Sequence, residues 1–139
     1  MNSVLQLRNK EKGLVFDSGM EMIWFLEDAY EQKDIEKFFS LVSTDFKKDF
    51  FQLKSQLEKE FNESEQLNLY ILLQSKDRDL NSDTYSYNIC WSKRVRKIRD
   101  NYCQREFGKA TIVFKRDSLY QKSNFLVYDI SGDSPFGSF

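Results

Sequence analysis

The chain has 139 residues, 21 basic and 22 acidic side chains, a formal charge of −1 and no histidine. That length is enough to bury an apolar core without disulfides or metal, and the balanced charge excludes a global field that would draw the chain to nucleic acid. Without His the commonest neutral-pH base and metal ligand is missing, which argues against zinc, triad and papain-type chemistry.

The balance hides an asymmetry. Residues 1–90 carry 11 basic against 17 acidic side chains (−6), and residues 91–139 carry 10 against 5 (+5). Aromatic residues make up 16% of the chain, including 13 Phe and 7 Tyr, and such side chains fill a core, line a cavity or cover an interface.

Residues 1–16 read as a polar leader, followed by a folded unit over 17–139. Asp17 or Ser18 is placed to cap a first helix to about Lys33, with Ile23, Leu26, Ala29 and Tyr30 on one face. Glu27 and Asp28 are expected on its wet side. Asp34 caps a short second helix whose Ile35, Phe38, Phe39 and Val42 follow the i, i+3, i+4, i+7 pattern. After Ser43-Thr-Asp a third helix is predicted to about Asn62, with an apolar seam of Phe46, Phe50, Leu53, Leu57 and Phe61.

The period then switches from 3.6 to 2. Leu67, Leu69, Ile71 and Leu73 alternate with polar neighbours in a strand over 65–77, and Asp79 to Asp83 is a turn. Tyr85, Tyr87, Ile89 and Trp91 form one face of a second strand reaching toward Ile98. Strands over 106–116 and 124–131 follow. Three helices and then four antiparallel strands make an α+β chain. Its predicted core holds Phe38, Leu53, Leu57, Leu69, Ile71, Ile112 and Phe114. The last residues, Gly132-Asp-Ser-Pro-Phe-Gly, end the last strand in a hook that folds Phe136 onto the helices.

Cys90 and Cys103 lack metal-ligand spacing and are read as two free thiols. No metal or cofactor is expected. The first ten residues lack the apolar core of a signal peptide, which suggests a cytoplasmic protein. A signal removed upstream would instead make it exported or lipid-anchored.

Phe25-Leu-Glu-Asp-Ala-Tyr-Glu-Gln-Lys-Asp-Ile, Phe38-Phe-Ser-Leu-Val-Ser-Thr-Asp-Phe, Gly108-Lys-Ala-Thr-Ile-Val-Phe and the Ile130-Ser-Gly-Asp-Ser-Pro-Phe-Gly tail occur in an order that resembles the nuclear transport factor 2-like superfamily. That superfamily includes ketosteroid isomerase and SnoaL-like branches. The chain looks most like its uncharacterised bacterial members ending in Gly-Asp-x-Pro-Phe-Gly. The resemblance implies a cone of helices packed on a curved four-stranded sheet, with a cavity and often a dimer through the sheet. The enzymatic branches match less well. Ketosteroid isomerases carry a Tyr eight residues before the Asp-Ile of the helix break, where this chain has Leu26.

Three groups of residues are candidates for function. Asp129 interrupts an apolar strand, and in a cavity it could act as a base with Tyr30, Tyr70 or Tyr128 as donor. Facing solvent, it would do neither. Tyr85, Tyr87 and Trp91, with Tyr70, could line a pocket or an interface. Lys93, Arg94, Arg96, Lys97 and Arg99 could contact anions, membrane headgroups included, or could guard a strand edge. A specific nucleic-acid reader is not supported, and edge guarding is the favoured reading.

The expectation is a non-catalytic domain that binds a small apolar ligand or a protein partner, as a homodimer. Two alternatives are an isomerase, cyclase or dehydratase using a cavity carboxylate and Tyr, and a module docking anionic surfaces through residues 93–99. A buried carboxylate within reach of a Tyr in the cavity would favour chemistry; an apolar cavity would favour binding.

Overall fold

The computed structural model describes residues 18–100, 102–117 and 124–137. The polar leader and Asp17 lie outside them. Helix α1 spans Ser18–Glu31, α2 Ile35–Ser40 and α3 Phe50–Glu63. Strands β1 (Ser64–Asp79), β2 (Thr84–Lys97), β3 (Cys103–Asp117) and β4 (Asn124–Gly132) pair antiparallel in the order β1-β2-β3-β4. The helices pack on one face of this curved, open sheet, as the α+β reading expects.

The break between α1 and α2 has a local cause. Asp34 N–H bonds the Ala29 carbonyl and Lys33 N–H the Tyr30 carbonyl, a Schellman closure with Lys33 at φ 57°. The Lys33 ammonium is tethered to the carbonyls of Ser64 and Glu65, where β1 begins. Asp34 then caps α2 by accepting from Lys37 N–H at 3.0 Å.

Helix α3 begins later than its apolar seam predicts. Asp49 caps it, accepting from Gln52 N–H at 3.0 Å. The preceding segment runs beside β4: Ser43 N–H reaches the Val127 carbonyl at 2.9 Å and Lys47 N–H the Tyr128 carbonyl at 2.8 Å. This pairing, with the parallel bridge of Val42 to Val127, holds the segment out of helical geometry until the Asp49 cap. Phe46 is therefore a half-buried loop residue and not part of the seam.

All seven predicted core residues are buried. Glu27 is buried too, contrary to its expected wet position. Its carboxylate accepts from Ile71 N–H at 3.3 Å, and Glu31 accepts from Leu69 N–H at 2.8 Å. Strand β1 is an edge, and two carboxylates one helical turn apart satisfy backbone donors that would otherwise offer a pairing template.

Strand β2 has no free edge. Arg94 lies opposite both Asn68 of β1 and Arg105 of β3, and Arg96 opposite both Gln66 and Cys103. The edge-guard reading of the basic run is thereby corrected, because a strand paired on both sides has no edge to guard. Cys90 and Cys103 are free thiols. The hook turns at Gly132 (φ 81°), where a side chain would be strained and a Cβ would sit 2.8 Å from the Lys109 carbonyl oxygen. It delivers Phe136, fully buried, against the rings of Phe38 (4.9 Å) and Tyr30 (5.6 Å).

Candidate functional site

The concave face of the sheet has two chemically distinct ends. At the hook end, Tyr30 of α1, Glu60 of α3 and Lys93 of β2 meet. Tyr30 Oη donates to Glu60 Oε1 at 2.5 Å, and Lys93 Nζ donates to Glu60 Oε2 at 3.0 Å. Lys93 Nζ also reaches Tyr30 Oη at 3.2 Å and the Pro135 carbonyl at 2.9 Å, while Gly137 N–H donates to Glu60 Oε1 at 3.2 Å. The Lys93 and Glu60 side chains are only 2% and 5% exposed. Burial pushes the Tyr30 hydroxyl well above the ordinary tyrosine range, and the adjacent Glu60 carboxylate raises it further. Trp91 completes this end, its indole N–H donating to the Asp133 carbonyl at 2.5 Å.

This cluster is a sealed junction between two helices, a strand and the hook. Each polar atom of it is bonded to protein. Tyr30, one of the two candidates for chemistry, is committed here. Asp129, the other, is half-buried on β4 and lies 3.6 Å from the Lys48 ammonium, in a separate cluster.

At the other end, beside the β1–β2 hairpin, a cleft of about 470 Å³ opens. Tyr85, Tyr87, Phe114 and Phe125 line it, with the Tyr85 and Phe125 rings packed edge-on at 4.7 Å and those of Tyr87 and Phe114 at 5.5 Å. Gly19 of α1 closes the contact, since a Cβ there would fall 2.0 Å from the Tyr87 hydroxyl. Lys76, Arg78 and Arg116 form the rim, with Asp77 beside them.

The rim exists because of a bulge. Leu73 pairs with Ile89 but Ser75 pairs with Asn88, so Gln74 is an extra residue in β1. Before the bulge the odd positions Leu69, Ile71 and Leu73 face inward. Beyond it the phase inverts, and Lys76 and Arg78 lie opposite Tyr87 and Tyr85 on the concave face. Simple alternation along β1 would have turned them away.

The other candidate residues are scattered. Tyr70 lies on the outer face, 60% exposed, and its row across the sheet runs Tyr70–Ser92–Phe107, with Phe107 74% exposed. Tyr85 and Tyr87 line the cleft, and Trp91 belongs to the hook end. Alternation also divides the basic run: Lys93 points inward, whereas Arg94 and Arg96 are exposed and Arg96 lies 3.8 Å from Glu65. Lys97 and Arg99 border a separate hollow with Glu63 and Asp100. The inward Lys93 corrects its reading as a surface anion contact.

Glu60 was not singled out from the sequence, yet it falls three residues after Leu57, on the apolar seam of α3. Lys93 likewise continues the odd phase of Tyr87, Ile89 and Trp91. A charge on the buried phase was the available signal. Among the described residues no cluster of three potential metal-ligating side chains occurs, and no helix is long and apolar enough to cross a membrane.

No protein-family model matches this chain, and no curated protein does. Solved structures do. A conserved protein from Planctomyces limnophilus superposes with a TM-score of 0.70 at 8% identity, over 84% of this chain and 95% of that one. A nuclear transport factor 2-like superfamily protein from Salmonella enterica gives 0.67 at 9% identity, over 83% and 87%. A ketosteroid isomerase-like protein from Erwinia carotovora gives 0.63 at 8% identity, over 84% and 94%. The chain has the nuclear transport factor 2-like fold.

Proposed function

We propose that this chain is a ligand-binding domain whose cleft at the hairpin end takes a small molecule with an apolar body. The observation that carries this reading is the composition of the cleft. Four aromatic rings line it, and its one carboxylate among the described lining residues, Asp77, is exposed to solvent. Pockets that bind small molecules are mostly apolar with a few placed polar groups. General acid–base catalysis needs a tuned acid or base aimed at the substrate. Here Glu60, a buried carboxylate within reach of a tyrosine, is held in a salt bridge at the opposite end. That arrangement favours binding over the isomerase or dehydratase alternative.

The test is binding of the neutral fluorophore N-phenyl-1-naphthylamine to the intact chain. Saturable binding is expected, weakened several-fold in Tyr85→Ala, the usual worth of one aromatic contact. Absence of binding, or binding indifferent to Tyr85→Ala in a folded variant, overturns the reading.

The outer face favours a second element of the proposal, a homodimer through the sheet. Tyr70, Leu72 and Phe107 are exposed there, and large exposed apolar side chains on one face mark contact surfaces. Native mass spectrometry should give a dimer that Phe107→Ser converts to monomer. A monomeric wild type would sink this element while leaving the cleft untouched.

A further inference from the structure

We propose that the ligand of the hairpin-end cleft is an amphipathic organic anion: an apolar body ending in a carboxylate, sulfonate or phosphate. This inference rests on the cleft being a binding site and adds the charge of what it binds. Among the described lining residues three cations, Lys76, Arg78 and Arg116, stand against one carboxylate, Asp77. They approach it from two strands separated by β2, so an anionic group beside the packed Tyr85 and Phe125 rings would meet guanidinium groups from both sides.

The two guanidinium groups are also oriented. Arg78 lies over the Tyr85 ring at 5.0 Å and Arg116 over the Phe125 ring at 4.9 Å, while those two rings pack against each other. A guanidinium stacked on a ring keeps its N–H edge available for an anion, and the planar fork suits carboxylate, sulfonate or phosphate oxygens. Asp83 partly balances Arg116, with Oδ2 3.9 Å from its Nε, whereas Arg78 has no carboxylate within ion-pair distance among the described residues.

The bulge at Gln74 is the strongest argument. Without it, Lys76 and Arg78 would face away from the concave side, and the aromatic floor would have one cation at its rim. The extra residue aims two more charges at an apolar pocket.

The experiment compares two probes with the same aromatic body. N-phenyl-1-naphthylamine is neutral, and 8-anilinonaphthalene-1-sulfonate adds a sulfonate. The wild type should bind the sulfonate about tenfold more tightly, the size of one charge-assisted hydrogen bond. Added salt should narrow that gap. Arg78→Gln with Arg116→Gln should abolish the preference, weakening the sulfonate probe about tenfold more than the neutral one. Should that pair fail to fold, Arg78→Gln alone should remove about half of the preference on a logarithmic scale. Arg94→Gln with Arg105→Gln, on the outer face, should have no effect. Equal binding of both probes, or a preference that survives loss of the rim arginines, overturns the anion inference and leaves the cleft standing. Failure of both probes to bind overturns the cleft reading and this one with it.

Discussion

The two ends of the concave face carry the same kinds of residue and use them oppositely. At the hook end one ammonium is buried among a carboxylate, a phenol and a backbone carbonyl, under a terminal segment that closes over it. At the hairpin end Arg78 and Arg116 lie over two rings of an aromatic cleft. Strand β2 contributes to both, through Lys93 at one end and Tyr85 and Tyr87 at the other. A charge fully bonded to protein has little left to offer a ligand. An exposed guanidinium lying over a ring still has donors to offer. The contrast divides the fold into an end that sets stability and an end that can vary its occupant.

The largest effect should come from unbalancing the sealed end. Lys93→Met leaves Glu60 as a buried charge facing the Tyr30 hydroxyl and should cost about 3–5 kcal/mol in denaturant unfolding. The double change Lys93→Met with Glu60→Leu removes both charges and should recover only part of that loss, because the Tyr30 hydroxyl, the Gly137 N–H and the Pro135 carbonyl lose their partners. A single variant within about 1 kcal/mol of wild type would mean the junction is wet, and the contrast between the ends would fail.

Next in size is the hook itself. Phe136→Ala empties the space between Phe38 and Tyr30 and should cost about 3–4 kcal/mol. Probe binding at the cleft should persist in the folded fraction, because Phe136 belongs to the other end. Loss of binding in parallel with stability would show the two ends to be coupled.

A smaller effect follows from Tyr30 and sharpens the comparison through pH. Its hydroxyl titrates above the ordinary value of 10.0 because burial and Glu60 oppose the phenolate. The folded state therefore keeps a proton that the unfolded chain releases. The associated stability is complete below about pH 10 and declines above it, by about 1.4 kcal/mol per pH unit. Tyr30→Phe starts from a lower stability but should lose this component of the alkaline slope. Equal slopes in the two proteins, measured by urea unfolding across that range, would contradict a sealed phenol.

Much of this architecture was legible in the sequence. Helical and strand periods located all seven elements, and the tail reported its own hook, because those signals are local. Three features were not legible. The start of α3 depended on residues 42–47 pairing with β4 in non-helical geometry, a tertiary contact that no period reveals. Burial of Glu27 depended on β1 being an edge that needed covering. The cationic rim depended on Gln74, since a one-residue bulge inverts the phase of everything after it without altering composition. Lys93 and Glu60 fall between these cases. Each sits on the apolar phase of its element, but a single charge there does not name its partner until distant segments meet.

The smallest expected stability change is at the hairpin end, and it closes the comparison. Arg78 and Arg116 are exposed, and surface substitutions usually stay within about 0.5 kcal/mol. Arg78→Gln with Arg116→Gln gives up two cation–π contacts, each worth about 0.5–1 kcal/mol at exposed sites, and relieves repulsion among the rim cations. These opposing terms should leave the thermal midpoint within a few degrees of wild type. The same pair is expected to erase the sulfonate preference of the cleft. A residue pair nearly silent in stability but decisive in ligand charge is a functional rim. If the double variant instead lost several kcal/mol, the arginines would be holding Tyr85 and Phe125 in place, and the hairpin end would be structural like the hook.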